Sequence, residues 1–283
     1  MNRARVIKRL SLALDYISAS LKSYTKIRLP YKKRCDGVIN VLATGPSLNE
    51  YLSRLKSGEA SGAFFVMNDF ALSDAYMQIK PRYYIMVDPA YFMSEDAITD
   101  RDRDIITKVF GSINDNTTWE MELIIPSSFY GNNFKRHITN KMVRLTPVNF
   151  CQLTQVDDPW YYKMLSTNKA ASFSNVLGAA IYVCVNLGYS EIRLYGADHS
   201  WTNDIRVNDQ NQVCTVYRHF YEDEEELVPW RTADNKIFEM HQVLQALASH
   251  FLTYKLLNKY ARMKSCKIIN CTPGSYIDAF ERS

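Results

Sequence analysis

Residues 38–48 place the tightest constraint on what this chain can fold into. The apolar run Val38-Ile39-Asn40-Val41-Leu42-Ala43 stops at Thr44-Gly45-Pro46-Ser47, and a helix-like pattern starts at Leu48. A strand that ends at a glycine and hands over to a helix leaves backbone N–H groups and a positive dipole end facing one point, a geometry suited to a phosphate or a nucleotide. Pro46 stiffens the turn, and Ser47 is placed to cap the helix. The turn is neither a Walker loop, which needs Gly-Lys-Ser/Thr, nor the three-glycine dinucleotide fingerprint.

The body repeats this alternation of strand and helix, the pattern of a largely parallel sheet in an α/β fold. Strands are expected at 38–44, 64–68, 83–88, 122–126, 142–147, 191–196 and 266–271. Helices are expected at 48–56, 71–78, around 96–110, at 174–187 and at 236–262. Residues 198–235 read as polar, irregular and acid-rich. At four strand ends the apolar run gives way to polar or glycine residues: Thr44-Gly45, Asn68-Asp69, Asp88-Pro89 and Gly196-Ala197-Asp198-His199. In an open α/β sheet the ligand crevice lies outside the carboxyl ends of the strands. These residues are therefore expected to share one site.

With 283 residues, 47% of them hydrophobic and 23% charged, the chain can bury a full core. No run approaches the roughly 20 apolar residues of a membrane span, and no secretory leader is expected. Six cysteines without a CxxC pair argue against a zinc site or a disulfide framework and for reduced thiols in a cytoplasmic protein. The net charge of +4 is unevenly spread. Ten of the 34 basic residues and one acid fall in residues 1–34, a formal +9 that leaves −5 on the rest. A mildly acidic body makes a poor nucleic-acid binder.

Residues 3–24 read as an amphipathic helix with Ile7, Leu10, Leu14, Ile17 and Leu21 at 3-4-3-4 spacing. Three placements compete for it: docked on the body, lying in the plane of an anionic membrane at its cytoplasmic face, or joining a homo-oligomer. Residues 1–34 thus form a basic extension and linker, and 35–283 a single domain with a lid at about 198–235.

Four patches resemble a known group in order: Gly45-Pro46-Ser47-Leu48, Phe65 to Phe70 with Asn68, Asn175 to Asp198 with its Leu-Gly-Tyr and Gly-x-Asp, and Cys271-Thr272-Pro273-Gly274-Ser275 before a short terminal helix. Together they resemble the bacterial sialyltransferases of glycosyltransferase family 42. They also resemble the wider group that includes flagellin-modifying nonulosonate transferases and archaeal pterin pyrophosphokinase-like proteins. The resemblance spans roughly residues 38–280 and is dense only in those patches. It implies a Rossmann-like, mostly parallel sheet of a GT-A-like variety and a donor nucleotide held by Thr44, Gly45, Pro46, Ser47 and Asn68. Asp88, Gly196 and Asp198 complete the expected nucleotide site, Asp88 standing where the sialyltransferases have an asparagine, as in the wider group. It also implies a lid whose Tyr217 and Tyr221 neutralise the donor phosphate.

The chemistry so implied is transfer of an acidic sugar (sialic acid, another nonulosonate or Kdo) from a CMP-sugar to a glycan or glycolipid acceptor in capsule or lipopolysaccharide assembly. The transfer is inverting, uses no metal, and needs no cofactor beyond the CMP-sugar donor. A base is required for the acceptor hydroxyl, and histidine titrates in the right range. His241 best matches the family's position between lid and last helix, with His199 and His219 as rivals. His250, nine residues along the same helix, reads as a surface or core residue. The run Asp100 to Asp104 reads as helical surface charge. A magnesium-dependent pyrophosphokinase with Asp88 and Asp198 as metal ligands is the rival enzyme, and a non-catalytic nucleotide-binding scaffold the rival from another class.

Overall fold

The computed structural model describes residues 3–22, 37–55, 62–151, 153–167, 173–217, 226–231 and 236–283. Their strands are β1 Val38–Leu42, β2 Ala63–Met67, β3 Tyr83–Ile85, β4 Met121–Pro126, β5 Val143–Val148, β6 Glu191–Tyr195, β7 Ile205–Val207, β8 Val213–Tyr217, β9 Glu226–Pro229, β10 Lys267–Asn270 and β11 Glu281–Arg282. The α-helices are α1 Arg3–Lys22, α2 Leu48–Leu55, α3 Ala75–Ile79, α4 Asp100–Asn116, α5 Asn132–Lys135, α6 Pro159–Leu165, α7 Val176–Leu187 and α8 Met240–Met263.

Eight strands form one sheet in the order β11-β10-β6-β1-β2-β3-β4-β5, and every pairing in it is parallel. The chain winds outward from β1 to β5, then crosses back to lay β6 on the other side of β1. That reversal between β1 and β6 opens a crevice at their carboxyl ends. Both faces of the sheet are covered, as the unbroken apolar strands β2 and β3 at its middle require. Ile39, Val41, Phe65 and Ile85 point to a layer containing α7 and α8. Leu42, Val66, Tyr84 and Leu123 point to the opposite layer, which includes α4 residues Val109 and Ile113. α7 is buried on all sides from Leu177 to Leu187, and Gly178 lets it approach Thr253 of α8. The α/β, mostly parallel, Rossmann-like architecture read from the sequence is the one the chain adopts.

Several elements differ from expectation. The 71–78 segment splits into a 3-10 turn at Phe70–Leu72 and α3. The unanticipated α6 starts at Asp158-Pro159, where the Asp158 carboxylate accepts the Trp160 N–H at 3.1 Å and proline fills the first turn. The residues after Ser275 form no helix. Arg282 donates to the carbonyls of Thr272, Ser275 and Ile277, so those oxygens are spent on a guanidinium and the chain continues into β11 beside β10. The 198–235 segment is not wholly irregular. It carries the antiparallel sheet β7-β8-β9, seated on α8 through Val213, Trp201, Trp230, Val243 and Leu247. The five cysteines among the described residues are free thiols, and no helix among those residues is long and apolar enough to cross a membrane.

Candidate functional site

A cleft of about 410 Å³ opens at the β1/β6 reversal and is roofed by the small sheet. Its floor is the Thr44-Gly45-Pro46 turn, Asn68, Gly196 and Asp198. One wall is the start of α7 at Asn175, and the roof holds Thr215 and Trp230, with Trp201 and His250 closing the side. Thr44, Gly45, Pro46, Asn68, Gly196 and Asp198 are thus brought together as the strand ends predicted.

The two loops that make the floor are locked to each other. Gly45 N–H donates to the Gly196 carbonyl at 2.9 Å. A Cβ at Gly45 would fall 2.1 Å from Asp198 Oδ2 and 2.5 Å from the Gly196 oxygen, so no larger residue fits. Ser47 hydroxyl donates to Asp198 Oδ2 at 2.8 Å, and its N–H donates to Oδ1 at 3.3 Å. The Asp198 carboxylate thus holds Ser47, the residue before α2, through both its hydroxyl and its N–H. Burial pushes the Asp198 pKa up, and the Ser47 hydrogen bonds oppose it. The Cys271 to Ser275 patch lies underneath: Thr272 Oγ1 accepts the Ala197 N–H at 3.0 Å, and Ser275 hydroxyl donates to the Ala197 carbonyl at 2.5 Å.

Asn68 sits at φ +52°, a left-handed position that asparagine tolerates. Tyr84, from the strand beneath, donates its hydroxyl to the Asn68 carbonyl and accepts the Ala71 N–H. Asp88 stands apart. It lines a smaller neighbouring cavity of about 140 Å³ that shares Thr44 and Asn68 with the cleft, and its carboxylate is engaged by the Ala90 N–H at 3.0 Å. Asp88 and Asp198 therefore face different cavities.

The histidines separate clearly. His241 lies in the first exposed turn of α8, pairs with Glu239 at 3.2 Å and lines neither the cleft nor the larger cavity beside it. His250, nine residues on and half a helical rotation away, faces inward and lines both. Burial lowers its pKa, opposed by a hydrogen bond to the Ser174 backbone. His199 also lines the cleft, but its Nε2 is hydrogen-bonded to the Tyr254 hydroxyl, and burial holds its pKa down to about 3. Tyr254 in turn donates to Asn175 Oδ1 at 3.0 Å, the same oxygen that caps α7 by accepting the Gly178 N–H at 2.9 Å. His219 and Tyr221 lie outside the described residues, and of Tyr217 only the backbone, in β8, is described. The Asp100 to Asp104 run is solvent-facing in α4, with Arg103–Asp100 and Lys108–Asp104 pairs.

Four side chains that border the cleft carry buried polar atoms with no protein partner: Asn68 Oδ1, Asn175 Nδ2, Trp230 Nε1 and His250 Nδ1. Such atoms are costly to leave unmade. Trp230 and His250 had no motif to mark them. Their shared position follows from the small sheet folding down on α8.

The geometry defines an α/β protein with a switch-point cleft rich in neutral hydrogen-bonding groups. No protein-family model matches the chain, and no curated protein matches it. Among solved structures, that of the MAf glycosyltransferase from Magnetospirillum magneticum AMB-1 is similar over 98% of this chain and 38% of that one, with 11% identity and a TM-score of 0.47. The chain thus corresponds to well under half of that protein's length.

Proposed function

We propose that this chain is a glycosyltransferase that moves an acidic sugar from a CMP-activated donor to a hydroxyl of a surface-glycan acceptor. The observation that carries this reading is a single switch-point cleft bordered by Asn68, Asn175, Trp230 and His250, each of which holds a buried polar atom with no protein partner. A base and a sugar present complementary neutral donors and acceptors, and Trp201 and Trp230 offer apolar faces to a ring. Among the described residues no lysine or arginine lines the cleft. A single phosphate or a sugar carboxylate makes smaller demands on cationic partners than a diphosphate. The N-terminus of the 12-residue α7 opens at Asn175–Leu177 with its positive dipole end. That end replaces α2 as the anion-favouring element, because Asp198 already occupies the turn before α2.

The step is a single displacement. The acceptor oxygen attacks the anomeric carbon, the bond to the phosphate oxygen breaks, CMP leaves with the electron pair, and the acceptor proton passes to a base. His250 suits that role: its Nδ1 has no partner, and it stands between the cleft and a larger cavity of about 1070 Å³. His199 suits positioning instead, since Tyr254 engages its Nε2.

Thermal-shift measurements with CMP, UDP, GDP and ATP, each with Mg²⁺ or EDTA, test the reading. Stabilisation by CMP that ignores EDTA is expected. A response confined to ATP with Mg²⁺ would indicate a pyrophosphokinase, and no response to any nucleotide a scaffold. His250→Ala is expected to keep CMP binding while turnover of CMP-sugar falls by roughly 10²–10⁴-fold.

A further inference from the structure

α1 is an amphipathic helix docked the unexpected way round. Its polar face grips the body. Arg9 Nε and Arg5 Nη2 reach the Asp158 carboxylate at 2.7 and 3.3 Å, and Asp15 Oδ2 accepts the N–H and hydroxyl of Thr154 at 2.8 and 2.7 Å. Leu12 and Ala19, on that same side, are buried in the main core. The stripe Ile7, Leu10, Leu14, Ile17 and Leu21 points the other way, each side chain more than half exposed. Isolated exposed apolar residues are ordinary; five in register along one 20-residue helix form a continuous surface.

Two occupants compete for this surface, a second copy of the chain and a lipid bilayer. The 3-4-3-4 spacing could zip against a copy, but charge opposes it. The exposed ionic residues of α1 that pair with neither Asp158 nor Thr154 are Arg3, Lys8 and Lys22, all basic, while its one acid, Asp15, is bonded to Thr154. Two such helices would bring like charges together in either orientation, with no carboxylate beside the seam to pair with them. An anionic bilayer supplies the missing counter-charge and an apolar interior for the stripe. No described helix can span a membrane, so α1 would lie in the interface plane.

We infer that the protein seats on anionic membrane surfaces through the Ile7–Leu21 stripe of α1, with the helix still attached to the body by its opposite face. The inference is independent of what the cleft binds.

Co-sedimentation of the full chain with vesicles of phosphatidylcholine alone, and of phosphatidylcholine mixed with phosphatidylglycerol, tests it. The chain is expected to partition onto the mixed vesicles at least roughly tenfold more strongly, with the difference shrinking as salt rises. The triple variant L10Q/L14Q/I17Q is expected to lose vesicle binding while its thermal midpoint stays unchanged, because the three side chains are exposed. R3Q/K8Q/K22Q is expected to lose the preference for the anionic lipid. Failure of the parent chain to bind mixed vesicles, or undiminished binding by the leucine–isoleucine variant, would overturn the inference. So would a concentration-dependent dimer in sedimentation velocity that this variant abolishes in place of vesicle binding.

Discussion

At the scale of single residues, the cleft depends on a contact that admits no side chain. Because a Cβ at Gly45 would sit 2.1 Å from Asp198 Oδ2, Gly45→Ala must push the two floor loops apart. It is expected to destabilise the fold by about 1–3 kcal/mol and to abolish CMP-induced stabilisation, both readable in one melting series. His199 makes a second prediction. With its folded pKa near 3 and an unfolded value of about 6.5, the unfolded chain takes up a proton that the native chain refuses. Stability from this group is complete above about pH 6.5 and declines as pH falls toward 3. In chemical denaturation between pH 6.5 and 4, His199→Gln is therefore expected to show a shallower pH slope than the parent, by up to about 1.4 kcal/mol per pH unit. His250, also held below its usual value, is expected to leave the proposed transfer reaction intact at a lower pH than an exposed histidine would allow. His250→Ala should erase that acidic limb from the residual rate.

At the scale of elements, α1 is the clearest test of how a helix chooses its buried face. Its large aliphatic residues face solvent, and two smaller contacts, Leu12 and Ala19, make the join. Leu12→Ala is expected to cost about 2–5 kcal/mol, as for other buried leucines, whereas Leu14→Ala, two residues on, should stay within about 0.5 kcal/mol. Equilibrium unfolding of the two variants side by side measures the contrast. Asp158 ties α1 to α6: Arg9 and then its other partners hold its carboxyl below the ordinary range, and it caps α6 as well. Hydrogen exchange in Asp158→Asn is expected to rise in α1 and the first turn of α6 and not in the central sheet. α6 was not expected from the sequence, although its Asp158-Pro159 start carries a helix signal. The true orientation of α1 was not legible, because periodicity reports which residues share a face and not which face meets the body.

At the scale of the whole molecule, the site exists because the strand order reverses between β1 and β6. The sheet brings residues 44–46, 68 and 196–198 to one edge from far apart in the chain, and the seating of β7–β9 on α8 sets Trp230 over the cleft that His250 of α8 also borders. The histidines show where reading along the chain reaches its limit. Position between lid and helix favoured His241, but α8 buries the face that carries Val243, Leu247 and Tyr254, and that phase turns His241 outward and His250 in.

The sequence by itself determined the layered α/β architecture, the polar strand ends and their convergence, since these follow from local periodicity and from the rule that parallel strands present their carboxyl ends on one side. Only the tertiary structure decided three things: that Asp198 takes the Ser47 hydroxyl and N–H at the turn where a phosphate had been expected, that Asp88 belongs to a neighbouring cavity, and that α1 turns its apolar stripe outward. Each depends on which of two chemically similar surfaces wins a contact with a distant segment. That competition is settled by three-dimensional fit and hydrogen-bond partners, neither of which local sequence encodes.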